Sequence, residues 1–374
     1  MTKVICAMSG GVDSSVAAAL LKKAGGDIIG VFMKLNNFSS EAEKRARKSA
    51  KIIKIPFFVF NFEKEFKKRI VDYFLDGYKK GITPNPCVVC NKEIKFGLLL
   101  ERALKLDADF VATGHYARKK KLENRKQKTE YKLLKAKDKN KDQSYFLWML
   151  SQKQLKRILF PVGDYTRQEV EKMTKKFRLP FAGVKKSQEI CFISKTIEDF
   201  LKRHLKLKPG QIIDNQGKII GKHEGLYFYT IGQRKGIKLS GGPAFAKATV
   251  GKPYYVLDKD FKNNFLIVTK KEKELYKKEL FVKNVNWIRA PSGRSVLDRA
   301  QKICALVSGK EPELPLKVRA KIRYRSAMVP ATITKYPNSK LYILKFARSQ
   351  RAITPGQSVV LYRGEELLGG GIIC

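Results

Sequence analysis

The sequence predicts an α/β protein whose first part is a mostly parallel sheet with helices on both faces. A small β-rich central domain and a C-terminal β-barrel are predicted to follow. Three observations favour this organisation. Strand and helix patterns alternate as far as His115, short glycine-rich β-type segments follow Phe200, and short strands fill the chain after Leu280. We expect the domains to span residues 1–208, 209–274 and 275–374.

Apolar strands and amphipathic helices alternate along the first domain. Strands are predicted at Val4–Met8, Asp27–Met33, Phe57–Phe62 and Asp109–Thr113. Helices are predicted at Asp13–Ala24, Ser40–Ile53, Lys64–Lys79 and Asn91–Lys105. Strands joined through helices run parallel, and such a sheet binds ligands beyond the carboxyl ends of its strands.

The elements that follow are shorter. The basic segment Arg118–Leu134 predicts a surface hairpin, and helical patterning returns at Asp142–Arg157 and Thr166–Phe177. Hairpin turns later in the chain are indicated at Asn263-Asn264, Pro337-Asn338-Ser339 and Arg363-Gly364-Glu365.

The first strand runs through a Ser-Gly-Gly-x-Asp-Ser loop, Ser9–Ser14, into a helix. Its glycines can take unusual backbone angles and let phosphate oxygens approach the main chain, while the helix N-terminus directs free N–H groups at the loop. The pattern predicts a pyrophosphate cradle, distinct from the Walker P-loop because no Gly-Lys-Ser/Thr follows. An ordinary tight strand-to-helix turn is the alternative. Since Met33 and Gly114-His115 end other strands, we expect a parallel-sheet nucleotide-binding domain with its ligand at this edge.

Composition restricts the class of partner. The 374 residues include 78 Lys and Arg against 34 Asp and Glu, a formal net charge of +44. This surplus favours a polyanion, but it is mainly lysine spread along the chain, so it supports nucleic acid without identifying one. No apolar run approaches the ~20 residues of a membrane span, and the N-terminus enters a strand without a signal peptide. We expect a cytoplasmic protein with no membrane partner.

Six cysteines in such a protein suggest chemistry more than structural disulfides. Cys87, Cys90 and Cys191 lie in polar or loop contexts, whereas small buried or bystander roles are expected at Cys6, Cys304 and Cys374. Cys90 precedes the predicted helix Asn91–Lys105, whose dipole would lower the thiol pKa, and Cys87 lies in the proline-rich loop before it. Cys191 follows Lys185 and Lys186, whose ammonium groups would also lower a thiol pKa.

One late segment alternates cations with apolar residues. Period two places five cations on one face of a predicted strand: Lys317, Arg319, Lys321, Arg323 and Arg325. Charge runs are usually solvated faces, yet five unpaired cations repel one another, and a phosphate backbone would relieve that repulsion.

Motifs along essentially the whole chain resemble the bacterial tRNA-specific 2-thiouridylases, which belong to the ATP-pyrophosphatase loop superfamily. The motifs that carry this resemblance are Ser9–Ser14, Thr83–Pro86, Cys90-Asn91, Ile94–Phe96, Thr113–Ala117, Lys141–Phe146, Ile190–Ile193, Tyr229–Gly236 and Pro355–Gln357. The resemblance implies that sulfur replaces the C2 oxygen of the wobble uridine in tRNAs for Lys, Glu and Gln. The substrate would be tRNA, not DNA.

The resemblance also implies roles for individual residues. ATP would contact Ala7, Met8, Ser9, Gly10, Gly11, Val12, Asp13, Ser14, Met33 and Gly114. The target base would face Asn85, Pro86 and Cys87, and further tRNA contacts would come from His115, Lys141, Asp142, Gln143, Arg323, Tyr324 and Gln357. Cys90 would be the nucleophile and Cys191 the carrier of a persulfide.

The implied chemistry begins when ATP, with Mg²⁺, adenylates the uracil O2 and releases pyrophosphate. The terminal sulfur of the Cys191 persulfide then attacks C2, or is first released as sulfide, and AMP leaves. Cys90 closes a disulfide with Cys191, which a reductant reopens. A persulfide donor or relay protein would supply the sulfur.

Cys87 departs from the commonest family pattern, which has Asp at this position. Cys87, Cys90 and Cys191 could instead hold three irons of a 4Fe-4S cluster with one iron open to sulfide. A zinc site is less favoured, because the chain has only three histidines and no second Cys-x-x-Cys. Two other classes remain: a superfamily ligase or amidotransferase, and a non-catalytic RNA-binding protein. The paired thiols and the intact loop argue against both.

Overall fold

The computed structural model describes residues 1–36, 40–123, 129–181, 190–237, 239, 253–289 and 311–374. Its strands are β1 Lys3–Ala7, β2 Asp27–Lys34, β3 Phe57–Asn61, β4 Phe110–Thr113, β5 Ala117–Glu123, β6 Thr129–Lys135, β7 Ile158–Leu159, β8 Gly210–Asp214, β9 Ile219–His223, β10 Tyr255–Asp260, β11 Phe265–Thr269, β12 Tyr276–Trp287, β13 Leu316–Lys321, β14 Val329–Lys335, β15 Tyr342–Arg351, β16 Ser358–Arg363 and β17 Glu366–Ile373. Cys304, Lys185 and Lys186 lie outside the described residues.

The α-helices are α1 Val12–Lys23, α2 Ser40–Ile53, α3 Glu63–Phe66, α4 Asp72–Lys79, α5 Pro86–Cys90, α6 Leu99–Leu104, α7 Gln152–Lys156, α8 Arg167–Lys176 and α9 Ile197–His204. Two π-helical segments, Lys67–Val71 and Asn91–Leu98, connect α3 to α4 and α5 to α6. Short 3₁₀ helices span Ser144–Leu147, Leu226–Phe228 and Glu272–Leu275. No described helix has the length and apolar character that a membrane span requires.

The first sheet is parallel, with strand order β3-β2-β1-β4-β7. Alternate residues of β1 enter two different cores. Ile5 packs in one core with residues of α4 and α6, and Val4 and Cys6 pack in the other with residues of α1 and α2. Helices therefore cover both faces of the sheet, which confirms the predicted arrangement.

Two helix predictions need correction. The predicted helix Asn91–Lys105 begins earlier, at Pro86, because proline suits the first helical position, where its missing N–H has no partner to lose. A continuous helix over Asp142–Arg157 is wrong. Only Ser144–Leu147 and α7 are helical there, since Ser151 starts a new helix through a capping box with Gln154.

The second half of the chain is β-rich, as predicted. A small sheet has the order β10-β11-β8-β9, and six strands form a barrel of order β12-β15-β14-β13-β16-β17, closed by pairing of β12 with β17. The three predicted hairpin turns are confirmed, since Asn264, Asn338 and Gly364 each have positive φ between paired strands.

The β5–β6 hairpin is present but lies only partly at the surface. Strand β6 pairs with β17, so the hairpin extends the barrel sheet from within the first half of the chain. Leu133 is fully buried there. Glu366 on β17 bonds Lys132 at 2.9 Å and Arg289 at 3.1 Å, and Arg289 also lies 3.7 Å from the buried Glu130. Charged groups therefore reinforce this strand pairing.

Candidate active site

The loop after β1 is organised by hydrogen bonds between its own serines. The Ser14 hydroxyl accepts from the Ser9 N–H and donates to the Gly11 carbonyl, each at 3.1 Å. Gly10 has φ +73°, and a Cβ there would lie 2.0 Å from the Ala42 carbonyl oxygen. Gly11 has φ −103°, and among the described residues beyond its chain neighbours a Cβ there would meet the Ser9 hydroxyl alone, at 3.5 Å. The expectation of unusual backbone angles at both glycines is right for Gly10 and wrong for Gly11.

The loop after β4 closes against the start of α1. A Cβ on Gly114 would lie 2.5 Å from the Ser14 main-chain nitrogen, so only glycine allows this approach. Ala7 and Met8 are buried and can offer a ligand only their main chain, whereas Met33 is half-buried at the same edge. Gly114 therefore lies beside the predicted phosphate loop.

Asp13 is held from two sides. The Tyr116 hydroxyl donates to Asp13 Oδ1 at 2.8 Å, and Arg167 Nη1 donates to the same atom at 2.5 Å. A second guanidinium nitrogen of Arg167 donates to Glu171 at 2.6 Å. Arg167 was missed in the sequence, because no motif links the first residue of α8 to the loop. Three segments are thus tied together at the phosphate loop.

The first two thiols lie on the continuous helix formed by α5, Asn91–Leu98 and α6. Cys87 is in its first turn, and Cys90 follows within α5 rather than preceding a helix. Burial raises the pKa of Cys90 to about 12 and that of Cys87 to about 11. The expected lowering of the Cys90 pKa by a helix N-terminus is therefore wrong in this state, since loss of water around the thiol outweighs it.

Cys191 joins the other two thiols from a distant segment. It is exposed, and Asn36 Nδ2 donates to its carbonyl at 3.5 Å. Its charge raises the pKa of both Cys87 and Cys90, so the three sulfurs lie within electrostatic reach. Loss of water around its thiol raises the pKa of Cys191 itself. The Lys95 ammonium has the opposite effect and lowers the pKa of all three thiols. Lys95 lies in the Ile94–Phe96 motif, but the sequence predicted no role for it.

The described residues around the thiols do not form a metal-ion site. Among the residues that the structure describes, no group of three or more His, Cys, Asp or Glu side chains is placed to hold a metal ion.

His115 links the thiols to the phosphate loop. It follows Gly114, shares a 2.8 Å hydrogen bond with the Thr113 hydroxyl, and packs on Phe96. Burial, together with the charge of Lys95, holds the pKa of His115 well below its usual value. The imidazole is therefore neutral near pH 7.

The other residues expected near tRNA in the first domain have internal contacts. Asn85 hydrogen-bonds Tyr145, and Pro86 is buried as the first residue of α5. The Gln143 side-chain oxygen accepts from the Tyr116 N–H at 2.9 Å. Asp142 accepts from the N–H groups of Ala136 and Ser144, both at 3.1 Å, and from the Ser144 hydroxyl, whereas Lys141 is half-exposed.

The remaining expected tRNA contacts lie where the barrel meets the other sheets. Gln357 donates to the Thr83 carbonyl at 2.8 Å, and Arg323 bonds the Thr354 hydroxyl and the Ala352 carbonyl. Both residues line a cavity of about 380 Å³ that also receives Thr230 and Arg351. Tyr324 packs against Phe146 with the two rings tilted by 42° and their centres 4.6 Å apart. These residues therefore lie around the junction between the first domain and the barrel.

The face of five cations is only partly formed. Strand β13 ends at Lys321, so Lys317, Arg319 and Lys321 alternate with buried Val318 and Ala320 as predicted. Arg323 belongs to the turn that follows, where Ser326 N–H bonds its carbonyl, and its guanidinium faces the cavity. The prediction of one five-cation strand face is therefore wrong beyond Lys321.

Three known families match successive parts of the chain. The tRNA methyl transferase HUP domain matches residues 2–195, the tRNA methyl transferase PRC-barrel domain residues 198–270, and the aminomethyltransferase beta-barrel domain residues 277–373. A Ser-Gly-Gly-x-Asp-Ser loop on a HUP sheet, beside a group of thiols, defines an ATP-using enzyme that modifies tRNA.

Full-length relatives give the particular family. The tRNA-specific 2-thiouridylase MnmA 1 of Caldanaerobacter subterraneus subsp. tengcongensis is 44% identical over 387 residues, which cover 99% of this chain and 97% of the relative. The tRNA-specific 2-thiouridylase MnmA of Clostridioides difficile is 42% identical over 385 residues, covering 99% and 98%. The chain belongs to the tRNA-specific 2-thiouridylase family, and its activity is the 2-thiolation of tRNA.

A solved structure of the U34-tRNA thiolase NcsA from Methanococcus maripaludis, with its 4Fe-4S cluster, is also similar. It is 20% identical with a TM-score of 0.32, over 49% of this chain and 59% of that chain. At this level the likeness carries no argument about the sulfur route.

Proposed function

We propose that this enzyme thiolates the wobble uridine through a persulfide on Cys191, with Cys90 as the resolving thiol. The observation that carries the proposal is a continuous series of neighbours. The charge of Cys191 raises the pKa of Cys90, and the charge of Lys95 lowers the pKa of both thiols and of His115. Gly114, which precedes His115, lies against the main chain of Ser14 in the phosphate loop. This series of neighbours supports placing the sulfur carriers near the site of adenylation.

ATP is proposed to place its phosphates on the Ser9–Ser14 loop, with Mg²⁺ as counter-ion. The free side of Gly11 supports this, because among the described residues, its chain neighbours aside, the Ser9 hydroxyl alone comes within 4 Å of a Cβ at that position. The uracil O2 attacks the α-phosphorus, the bond to pyrophosphate breaks, and O2 becomes part of an AMP leaving group. The remaining ATP contacts are proposed at Ala7, Met8, Val12, Asp13, Met33 and Gly114.

The sulfur step balances without an external oxidant. The terminal sulfur of the Cys191 persulfide forms a bond to C2, and AMP departs with its electron pair. The Cys90 thiolate then attacks the inner sulfur, the S–S bond breaks toward the uridine, and 2-thiouridine leaves. A Cys90–Cys191 disulfide remains, and a dithiol reductant restores the two thiols. The raised pKa of Cys90 requires that its proton be lost before this attack.

The proposed substrates are the tRNAs for Lys, Glu and Gln, and the proposed sulfur source is a persulfide-carrying donor or relay protein in the cytoplasm. The exposure of Cys191 supports delivery by a protein, since a donor thiol must reach the acceptor sulfur. Asn85, Pro86 and Cys87 are proposed to face the base, and the tRNA contacts at His115, Lys141, Asp142, Gln143, Arg323, Tyr324 and Gln357 remain part of the proposal.

Cysteine replacement tests the route. Cys191→Ser should abolish 2-thiouridine formation while leaving pyrophosphate release intact, because serine cannot carry sulfane sulfur. Cys374→Ser, at another exposed cysteine, is the matched control and should retain full activity. Mass spectrometry of wobble nucleosides measures both variants. Wild-type thiolation by Cys191→Ser would remove Cys191 from the mechanism.

Cys87→Asp separates the persulfide route from the cluster route. The persulfide route predicts a colourless, iron-free wild type and comparable thiolation by Cys87→Asp, since Cys87 has no step in it. A brown anaerobic wild type that loses both iron and activity in Cys87→Asp would overturn the proposal. Absorption spectra and iron analysis of anaerobically purified protein provide the readout.

A further inference from the structure

Lys135, Arg319 and Lys321 form a cation cluster on the outer face of the barrel. Arg319 on β13 pairs with Tyr362 on β16, so their side chains share one face of the sheet, and Lys321 shares it two residues later. The Lys135 ammonium, from the end of β6, lies 5.1 Å from the centre of the Tyr362 ring. Three cations from the hairpin and the barrel therefore converge on one surface.

The described carboxylates make no direct ion pair with this cluster. None of them lies within 4.0 Å of a charged nitrogen of Lys135, Arg319 or Lys321. Lys135 instead donates to the Gly364 carbonyl at 2.8 Å, and Arg319 donates to the Met328 carbonyl at 3.0 Å. Both groups keep further donor positions for a ligand, because an ammonium has three N–H bonds and a guanidinium five.

The two acids that face the cluster have other partners. Asp142 acts on Lys135 and Lys321, but its oxygens accept from the Ser144 hydroxyl and from main-chain N–H groups. Glu365 bonds Arg118 at 3.0 Å. Burial, together with Arg319 and Lys321, lowers the pKa of Lys135 despite these acids. The protein holds the cluster against mutual repulsion, which bound phosphates would relieve.

The cluster also borders the junction between the barrel and the first domain. Tyr362, at its centre, is buried in the core that contains Phe96, which lies on the same helix as Cys87 and Cys90. A dispersed surplus of lysine would not require such convergence.

We propose that Lys135, Arg319 and Lys321 together bind backbone phosphates of the tRNA substrate outside the modified nucleotide. This inference rests on the proposed function for the identity of the RNA. The cluster gives affinity and register without reading bases, since contacts to phosphate carry no direct sequence information.

The test compares two triple variants with equal loss of charge. The first carries Lys135→Gln, Arg319→Gln and Lys321→Gln. The control carries Lys51→Gln, Lys175→Gln and Lys176→Gln, at exposed positions of α2 and α8. Fluorescence anisotropy measures the Kd for unmodified tRNA at several salt concentrations. The first triple should raise Kd at physiological salt roughly tenfold or more and flatten the plot of log Kd against log salt by about two.

The control triple should flatten that slope by less than half as much. A charge-conserving variant, Lys135→Arg with Arg319→Lys, should bind like wild type, and matching thermal melts verify that the variants fold. Equal effects of the two triples, or an unchanged slope in the first, would overturn the inference. Thiolation at saturating tRNA is measured separately. Its absence in wild type would refute the proposed function while leaving the binding comparison interpretable.

Discussion

Gly10 and Gly11 are adjacent, yet an added methyl group should lower the stability of the protein at Gly10 and its activity at Gly11. At Gly10 the backbone is left-handed, which costs an alanine about 1–2 kcal/mol. The new Cβ would also lie 2.0 Å from a carbonyl oxygen of α2, so main chain must move, at about 1–3 kcal/mol more. We expect Gly10→Ala to lower the free energy of unfolding by about 2–5 kcal/mol.

Gly11→Ala should leave the fold almost unchanged. Its φ of −103° suits any residue, and within the described part of the chain, neighbours in sequence aside, the Cβ meets one hydroxyl at ordinary contact distance. The change in unfolding free energy should stay within about 1 kcal/mol, because Gly11 is the N-cap of α1, a position where alanine is less favoured than glycine. The methyl group instead occupies the free side of the loop, where phosphate oxygens are proposed to approach, so ATP-dependent pyrophosphate release should fall at least tenfold.

Urea unfolding and pyrophosphate release, measured on both variants, separate the two effects. The reasoning is refuted if Gly11→Ala releases pyrophosphate normally, because the free side of the loop would then not hold phosphate. It is equally refuted if Gly10→Ala is as stable as wild type, because the left-handed turn and its packing on α2 would then be dispensable.

Two further predictions concern titratable groups. Iodoacetamide at pH 7 should modify Cys191 well before Cys87 and Cys90. Cys191 is exposed, whereas burial raises the pKa of Cys87 to about 11 and that of Cys90 to about 12. Peptide mass spectrometry that found Cys90 alkylated first would contradict this order. His115 has a lowered pKa in the folded protein, so the unfolded chain binds its proton more readily below about pH 6.5 and stability falls there. Wild type should therefore lose more unfolding free energy than His115→Gln between pH 7.5 and 5.5. Equal losses in the two proteins would show that His115 is not held neutral.

Local patterns predicted much of this fold. Strand and helix periodicities depend on neighbouring residues, so they located β1 to β4. They could not show that α5 begins at Pro86, because proline was taken as loop punctuation when it also suits a first helical turn. The prediction of a lowered pKa at Cys90 was wrong for a different reason, because the burial of this thiol depends on how distant segments pack.

The contacts that assemble the site are mostly long-range. Arg167 reaches Asp13 only because α8 packs beside α1, and Lys95 faces three thiols only because the chain near Cys191 returns to α5. The π-helical segment begins at Asn91, so the helical pitch changes between Cys90 and Lys95. No periodicity in the sequence signals that change of pitch.

The pairing of β6 with β17 has a consequence for taking the enzyme apart. A barrel excised at residue 275 would lose the hairpin and uncover β17 backbone groups beside the Glu366 carboxylate, while the remaining fragment would carry β6 as a bare edge. Exposed edges of this kind recruit other strands and aggregate. The two ends of the chain are therefore expected to melt in one transition, and neither is a module that can be transplanted alone.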